Sequence, residues 1–271
     1  MRRGSGLFGW SVLLTALVVP AVMGPGAAWA ELVPHQAIYK MTLASKSPTS
    51  RFNGLSGASV SLIERGCEGW VVTEQVVMTM LTVAGGAIER EMNFKARESR
   101  DGKNYFFHSD SITNGEKNTY SGSARRADNG EAEAEFVTPR PFEMPLPKDT
   151  LFYIGTTEWL LDLARSEKRT GERFAFDGTD DEGPQKVTAF ILPDGIGGKG
   201  VPGDQSLLDK KAWQARLAFF KTGSQESRPE FEISLRLLEN GVITHFELIF
   251  DDLIVDQVLQ DVLPARDEQC G

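Results

Sequence analysis

Hydrophobic and polar residues alternate with a period of two along most of the chain after residue 35. The plainest runs are 132–136, where alanine and phenylalanine alternate with glutamate, and 213–219. Because successive side chains of a strand point to opposite faces, this period predicts antiparallel strands with one buried and one solvated face. Further strands are predicted at 37–43, 70–81, 92–96, 174–176, 187–191, 231–238, 242–250 and 253–263. The dipeptide Asn240-Gly241 predicts a tight hairpin turn.

One segment, residues 156–168, has helical periodicity instead. It ends in basic residues followed by Gly171, and it predicts the one main α-helix. The four prolines between residues 139 and 147 predict an extended connection before it. We therefore expect a mainly β fold, in which one long twisted antiparallel sheet holds a helix. A two-domain chain divided near Lys148 is the alternative.

The first 30 residues have the order of a secretory signal peptide. Arg2 and Arg3 precede an apolar run, and Ala28-Trp29-Ala30 forms a small-x-small cleavage site. A retained membrane anchor is the alternative, but Pro20 stops the apolar run short of the roughly 20 residues that a span needs. We expect residues 1–30 to be removed and residues 31–271 to form a single exported domain.

The negative net charge argues against nucleic acids and anionic lipid surfaces as binding partners. Loss of Arg2 and Arg3 would move the formal net charge from −9 to −11. An acidic chain does not have the basic footprint of a nucleic-acid-binding protein, and anionic lipid surfaces would not attract it.

The chain has two cysteines, Cys67 and Cys270. In an oxidising compartment such a pair is expected to form a disulfide, and only one intramolecular pairing exists. A redox role is the alternative, but there is no C-x-x-C motif to lower a thiol pKa.

Two loops match binding motifs only superficially. Residues 195–200 read G-x-G-x-x-G, but Pro202 and Gly203 follow where a nucleotide-binding helix would begin, so a flexible connection is expected. Residues 177–183 hold four carboxylates, but their spacing fits no EF-hand, and Asp and Gly are common in turns. No cofactor or metal is expected.

Catalytic residues are not evident either. There is no G-x-S-x-G motif, and His35, His108 and His245 are far apart in the sequence. We expect no catalytic activity. A hydrolase of envelope polymers remains an alternative without a candidate residue pair.

A strongly twisted sheet can curl into a half-barrel whose concave side holds an acyl chain or a peptide. The large apolar residues that would lie near such a cleft are Trp159, Leu160, Leu163, Trp213 and Phe219. The alternative, which we favour, is that these residues form the core.

Short motifs in a fixed order resemble the EipB family of cell-envelope integrity proteins of alphaproteobacteria. The motifs are Val33-Pro34-His35 before the strand with Tyr39, Leu146-Pro147 before the helix, Phe176-Asp177-Gly178-Thr179-Asp180, and Asn240-Gly241-Val242. The resemblance spans the mature chain. It implies one long antiparallel sheet wound into an open β-spiral, with a disulfide between Cys67 and Cys270. It also implies a periplasmic protein without known catalytic activity.

The resemblance also implies resistance to envelope stress and a partner built of tetratricopeptide repeats. Two functions follow as hypotheses. In the first, a non-enzymatic periplasmic protein supports the envelope by binding another protein. In the second, the hollow of the sheet carries or senses a lipid or another apolar envelope component. The oligomeric state is not predicted.

Overall fold

The computed structural model describes residues 31–268 except 167, 199 and 225–226. The predicted signal peptide and Cys270 lie outside the described residues. Within the described part, no helix is long and apolar enough to cross a membrane.

The described residues form fourteen antiparallel strands in one sheet, whose order is β8-β7-β6-β5-β4-β3-β2-β1-β14-β13-β12-β11-β10-β9. The first eight strands are β1 (His35–Lys46), β2 (Phe52–Arg65), β3 (Gly69–Thr82), β4 (Ala87–Ser99), β5 (Asn104–Thr113), β6 (Glu116–Arg126), β7 (Ala132–Thr138) and β8 (Phe142–Leu146). The remaining six are β9 (Thr170–Ala175), β10 (Gln185–Ile196), β11 (Lys211–Lys221), β12 (Phe231–Leu238), β13 (Ile243–Ile249) and β14 (Leu253–Pro264). The mainly β, antiparallel prediction is confirmed.

The first and last strands pair in the middle of the sheet. The register of β1 and β14 runs from His35 opposite Pro264 to Lys46 opposite Leu253. The outer edges, β8 and β9, do not pair with each other, so the sheet is open. Leu151 forms an isolated parallel bridge to Ala175, the last residue of β9. The connection from β8 to the helix therefore crosses the gap between the two edges.

The helix α1 spans Tyr153–Arg165, three residues earlier at each end than predicted. Its N-cap residue Phe152 provides no side-chain cap. The cap is provided instead by Glu98 on β4, whose carboxylate oxygens accept hydrogen bonds from the backbone N–H groups of Ile154 and Gly155 at 2.7 and 3.1 Å. Because this cap comes from a distant strand, local sequence patterns place the start of the helix too late.

The predicted flexible connection after residue 195 is well packed. It contains a short helix, α2 (Gln205–Leu208), whose two leucines are buried. A Cβ atom on Gly197 would lie 2.1 Å from Leu238, and one on Gly203 would lie 2.5 Å from the backbone of Val262. The glycines thus serve close packing against the sheet rather than flexibility.

The main core lies between the inner face of the sheet and α1. The helix buries Ile154, Trp159, Leu160, Leu161, Leu163 and Ala164. Stacked aromatic rings continue this core toward the open edge, with 4.8 Å between the ring centroids of Tyr105 and Phe152 and 4.4 Å between those of Phe136 and Phe142. We call this part of the spiral the helix-filled half.

Candidate functional site

The inner face of the sheet changes character along the strands. On β3 the inward positions are Val72 in the main core, then Glu74, then Val76 in a separate apolar cluster. On β14, Gln257 likewise separates Leu259 from Val255. A polar layer therefore divides the inside of the spiral into two apolar regions.

Hydrogen bonds join the side chains of the polar layer. The hydroxyl of Ser59 donates to Gln257 at 2.9 Å, and both residues are buried. The hydroxyl of Tyr153, at the start of α1, donates to the carboxylate of Glu74, which also bonds Ser61. Burial raises the pKa of Glu74, with the nearby Asp177 adding to the effect, and the bonds from Tyr153 and Ser61 oppose it. The layer is thus a hydrogen-bonded floor below the helix.

Beyond this floor, the inner face forms an apolar surface that we call the apolar cup. Its buried base consists of Met41, Phe52, Leu55, Leu253 and Val255. Partly buried residues of β1, β3, β4 and β13 pack against the base: Leu43, Val76, Met78, Met80, Ile88 and Leu248. In contrast to the other half, this region contains no helix among the described residues.

A cavity of about 250 Å³ adjoins the polar layer on the side of β11 and β12. Its walls include Tyr153, Phe176, Phe219 and Ile233, with Asp177 and Asp180 at the adjoining loop. Ile233 pairs with Leu248 of the apolar cup across β12 and β13. The cavity and the cup therefore share one inner surface.

A second cavity, of about 310 Å³, lies at the N-terminal end of α1 around Glu98. Burial raises the pKa of Glu98 to about 7, while the two helix N–H groups and Arg126 oppose the shift. Both carboxylate oxygens of Glu98 accept backbone hydrogen bonds from the helix. A structural role as the cap of α1 therefore accounts for the burial of this carboxylate.

A model of the EipB-like family matches residues 26–265. The chain belongs to the EipB-like family. The cell envelope integrity protein EipB of Brucella abortus (strain 2308) is 23% identical to it over 235 residues, which cover 83% of this chain and 82% of that protein. The predicted family resemblance is confirmed.

The fold also matches a solved structure. A crystal structure of a β-barrel-like protein of a domain of unknown function, from Brucella abortus, has a TM-score of 0.80 to this chain. The two sequences are 22% identical, and the match covers 87% of this chain and 99% of that one. At this identity the likeness concerns the fold alone.

In this EipB-like chain, the five residues predicted near a cleft lie in two places: four are in the main core and one lines a cavity. Trp159, Leu160, Leu163 and Trp213 are buried in the main core. Trp159 also borders the cavity around Glu98, and Phe219 is partly buried and lines the cavity next to Tyr153. The residues of the apolar cup were missed, because short aliphatic and methionine side chains on alternating positions look like any half-buried strand.

Cys67 lies in the turn between β2 and β3. The C-terminal segment runs beside this turn: Arg65 binds the carboxylate of Asp267 at 2.7 and 2.8 Å, and its carbonyl accepts the N–H of Glu268 at 2.9 Å. The last described residue thus lies close to the turn, two residues before Cys270.

The acidic loop after β9 forms turns. Asp177 accepts the backbone N–H and the hydroxyl of Thr179, at 2.9 and 2.8 Å, and Asp180 accepts the N–H of Glu182. Within residues 31–268, apart from the gaps, no three His, Cys, Asp or Glu side chains are grouped to hold a metal ion.

Proposed function

We propose that this protein is a non-enzymatic periplasmic protein that supports cell-envelope integrity by binding another protein. Membership of the EipB-like family carries the proposal, together with the relative that is named for envelope integrity. The signal-peptide pattern of residues 1–30 supports the periplasm as its location.

A nearly uncharged outer surface supports protein binding. Ten outward positions on β2 and β3 carry no ionisable side chain, in a chain of which 25% is charged, and Glu64, opposite Val71, is a charged residue on the same face. These positions are Ser56, Ala58, Val60, Leu62, Val71, Thr73, Gln75, Val77, Thr79 and Leu81. Val77 and Leu81 are at least half exposed. Such a surface suits a partner with a matching uncharged face, and a tetratricopeptide-repeat protein is the partner we propose.

Complementation in the native host tests the envelope role and the location. A deletion strain should become sensitive to detergent, and the full-length gene should restore resistance. A gene lacking codons 2–30 should not restore it although the protein accumulates. Rescue by the leaderless form would overturn the periplasmic location, and full resistance of the deletion strain would overturn the envelope role.

The protein-binding step is tested by a charge on the uncharged surface. Val77→Lys should abolish both rescue and crosslinking to the partner, because a charged side chain would lose its hydration at the interface. Thr188→Lys, at an exposed outward position of β10, is the matched control and should rescue fully. If both variants rescue equally, the surface is not the binding site.

The absence of catalysis is tested at the inner carboxylate. Glu74→Gln keeps the shape of the side chain and removes its acid–base chemistry. This variant should still restore detergent resistance when the protein level is normal. Loss of rescue at a normal level would favour an enzyme.

A carrier or sensor of a lipid or another apolar component is the second candidate. The specific observation in its favour is the apolar cup, since six of its apolar side chains are only partly buried in a domain with a well-packed core. Reproducible lipid adducts in native mass spectrometry of protein from its own host would support this function.

A further inference from the structure

One cation lies on the inner face of the apolar cup. The inward positions of β4 alternate from Glu98, Ala96 and Phe94 in the helix-filled half to Met92, Arg90 and Ile88. Arg90 is exposed and forms no ion pair with any residue that the structure describes. A guanidinium on this largely apolar inner wall has no evident role in the fold.

Polar neighbours complete an anion-binding arrangement. Arg90 lies directly opposite Thr113 on β5, and Met92 lies opposite Ser111. In an antiparallel sheet opposite residues share a face, so two hydroxyl groups stand on the same wall as the guanidinium. Glu116, opposite Thr113 on β6, is on this wall too, one strand further from Arg90. Arginine and hydroxyl donors together are the groups that proteins use for phosphate and carboxylate oxygens.

The wall around Arg90 is apolar and adaptable. Across β3, Arg90 faces Met78, and Met80 and Ile88 form the next pair toward the hairpin. Four of the seven methionines of the chain, Met41, Met78, Met80 and Met92, face the cup. Flexible, polarisable methionine side chains are typical of surfaces that bind apolar partners of variable shape.

The length of the cup along β3 matches a lipid tail. Met78, beside Arg90, lies four positions along β3 from Glu74 in the floor, which corresponds to about 13 Å at about 3.3 Å per residue. One leaflet of a bilayer contributes about half of a hydrocarbon core of about 30 Å. A single acyl chain would therefore extend from Arg90 to the polar layer.

We propose that the apolar cup binds one acyl chain of an anionic lipid, and that Arg90, with Thr113 and Ser111, holds its head group. The proposal rests on the second candidate function and specifies its ligand. The negative head group complements the guanidinium of Arg90 on the cup wall, and the chain covers the partly buried side chains of the cup.

Titration calorimetry on the purified mature protein tests the site, with lysophosphatidylglycerol below its micelle concentration as the probe. The wild type should bind one molecule, and lysophosphatidylcholine of equal chain length should bind more weakly. Glycerol phosphate, which has the anionic group without the chain, should not bind measurably. Equal binding of the choline lipid would overturn the head-group assignment, and equal binding of glycerol phosphate would overturn the acyl-chain assignment.

A matched pair of variants on one strand isolates Arg90. Arg90→Gln should weaken binding of lysophosphatidylglycerol about tenfold or more, because it removes charge-assisted hydrogen bonds. Arg90→Lys should recover part of the loss. Arg97→Gln, the same change on the outward face of β4, should bind like the wild type. Equal affinities of the Arg90→Gln and Arg97→Gln proteins would overturn the proposal, as would absence of binding by the wild type.

A negative result in the binding experiment and a negative result in the complementation experiment refute different claims. Absence of lipid binding removes the carrier function and leaves the envelope role intact. Lipid binding in a protein whose deletion strain resists detergent would retain the site and remove the envelope role. Arg90→Gln in the complementation assay then connects the two, and it should rescue poorly only if lipid binding serves envelope integrity.

Discussion

The two halves of the spiral share the same strands but differ in how they are filled. In the helix-filled half, α1 and stacked aromatic rings bury the inner face almost completely, and Phe136 and Tyr105 are 0% exposed. In the apolar cup, methionine and aliphatic side chains remain partly exposed. The comparison separates the part of the sheet that stabilises the fold from the part that is available for a ligand.

The difference predicts unequal costs of truncating side chains. Phe136 contacts Phe107, Phe142 and Phe176, so Phe136→Ala should lower the free energy of unfolding by about 3–5 kcal/mol. Met80→Ala in the cup should cost about 1 kcal/mol or less, because its side chain is only partly buried. Urea denaturation measures both. Equal losses would mean that the cup is also part of the stabilising core.

A disulfide would tie the C-terminus to the helix-filled half. Cys67→Ser should cost about 2–5 kcal/mol of stability, since a bridge to Cys270 would restrict the unfolded chain. Cys270→Ser and the double variant should show the same loss, because each removes the same bridge. Peptide mapping without reduction should find the two cysteines linked. Free thiols at both positions in periplasmic protein would refute the pairing.

The cap at the start of α1 should make the helix-filled half sensitive to pH. The pKa of Glu98 is raised from 4.5 to about 7 in the folded state. A raised carboxyl pKa adds stability below pH 4.5, and this contribution is lost as the pH rises through 7. From pH 7.5 to 4.5 the wild type should therefore gain on the order of 3 kcal/mol relative to Glu98→Gln.

Glu91→Gln provides the control for this pH profile, because it makes the same chemical change on an exposed residue of the same strand. Urea denaturation at a series of pH values measures both variants. If the difference between the wild type and Glu98→Gln does not change with pH, the buried cap is not the titrating group.

The sequence predicts some strands of the sheet better than others. Strict alternation located β7 and β11, and Asn240-Gly241 located the turn between β12 and β13. The sequence pattern does not predict four of the strands: β2, β5, β6 and β8. In β2 glycine and serine weaken the apolar pattern, and in β8 Pro145 is tolerated because the strand forms an edge.

The division of the interior depends on contacts between distant residues. The five predicted cleft residues are mostly core because α1 lies on the sheet in that half, and the helix is placed by Glu98, 55 residues before Tyr153. The position of the cup depends on which part of the sheet is left uncovered by α1. Neither the curvature of a sheet nor the depth of a helix within it is encoded in local periodicity.

The smallest predicted effect is a gain in stability. Thr244 on β13 is buried, and its hydroxyl has no hydrogen-bond partner among the described residues. It lies between Val242 and Phe246, which both contact buried clusters. Valine has nearly the same shape and no hydroxyl, so Thr244→Val should raise the free energy of unfolding by about 1 kcal/mol.

Thr156→Val on α1 is the matched control for Thr244→Val. The hydroxyl of Thr156 donates to the carbonyl of Phe152 at 2.8 Å, so the same substitution removes a hydrogen bond and should lower stability by about 1 kcal/mol. Opposite signs in urea denaturation would show that hydrogen bonding, rather than the general preference of a strand for valine, decides the outcome. A loss at Thr244 would indicate that its hydroxyl is satisfied, for example by a buried water, and that the interior there is less dry than the helix-filled half.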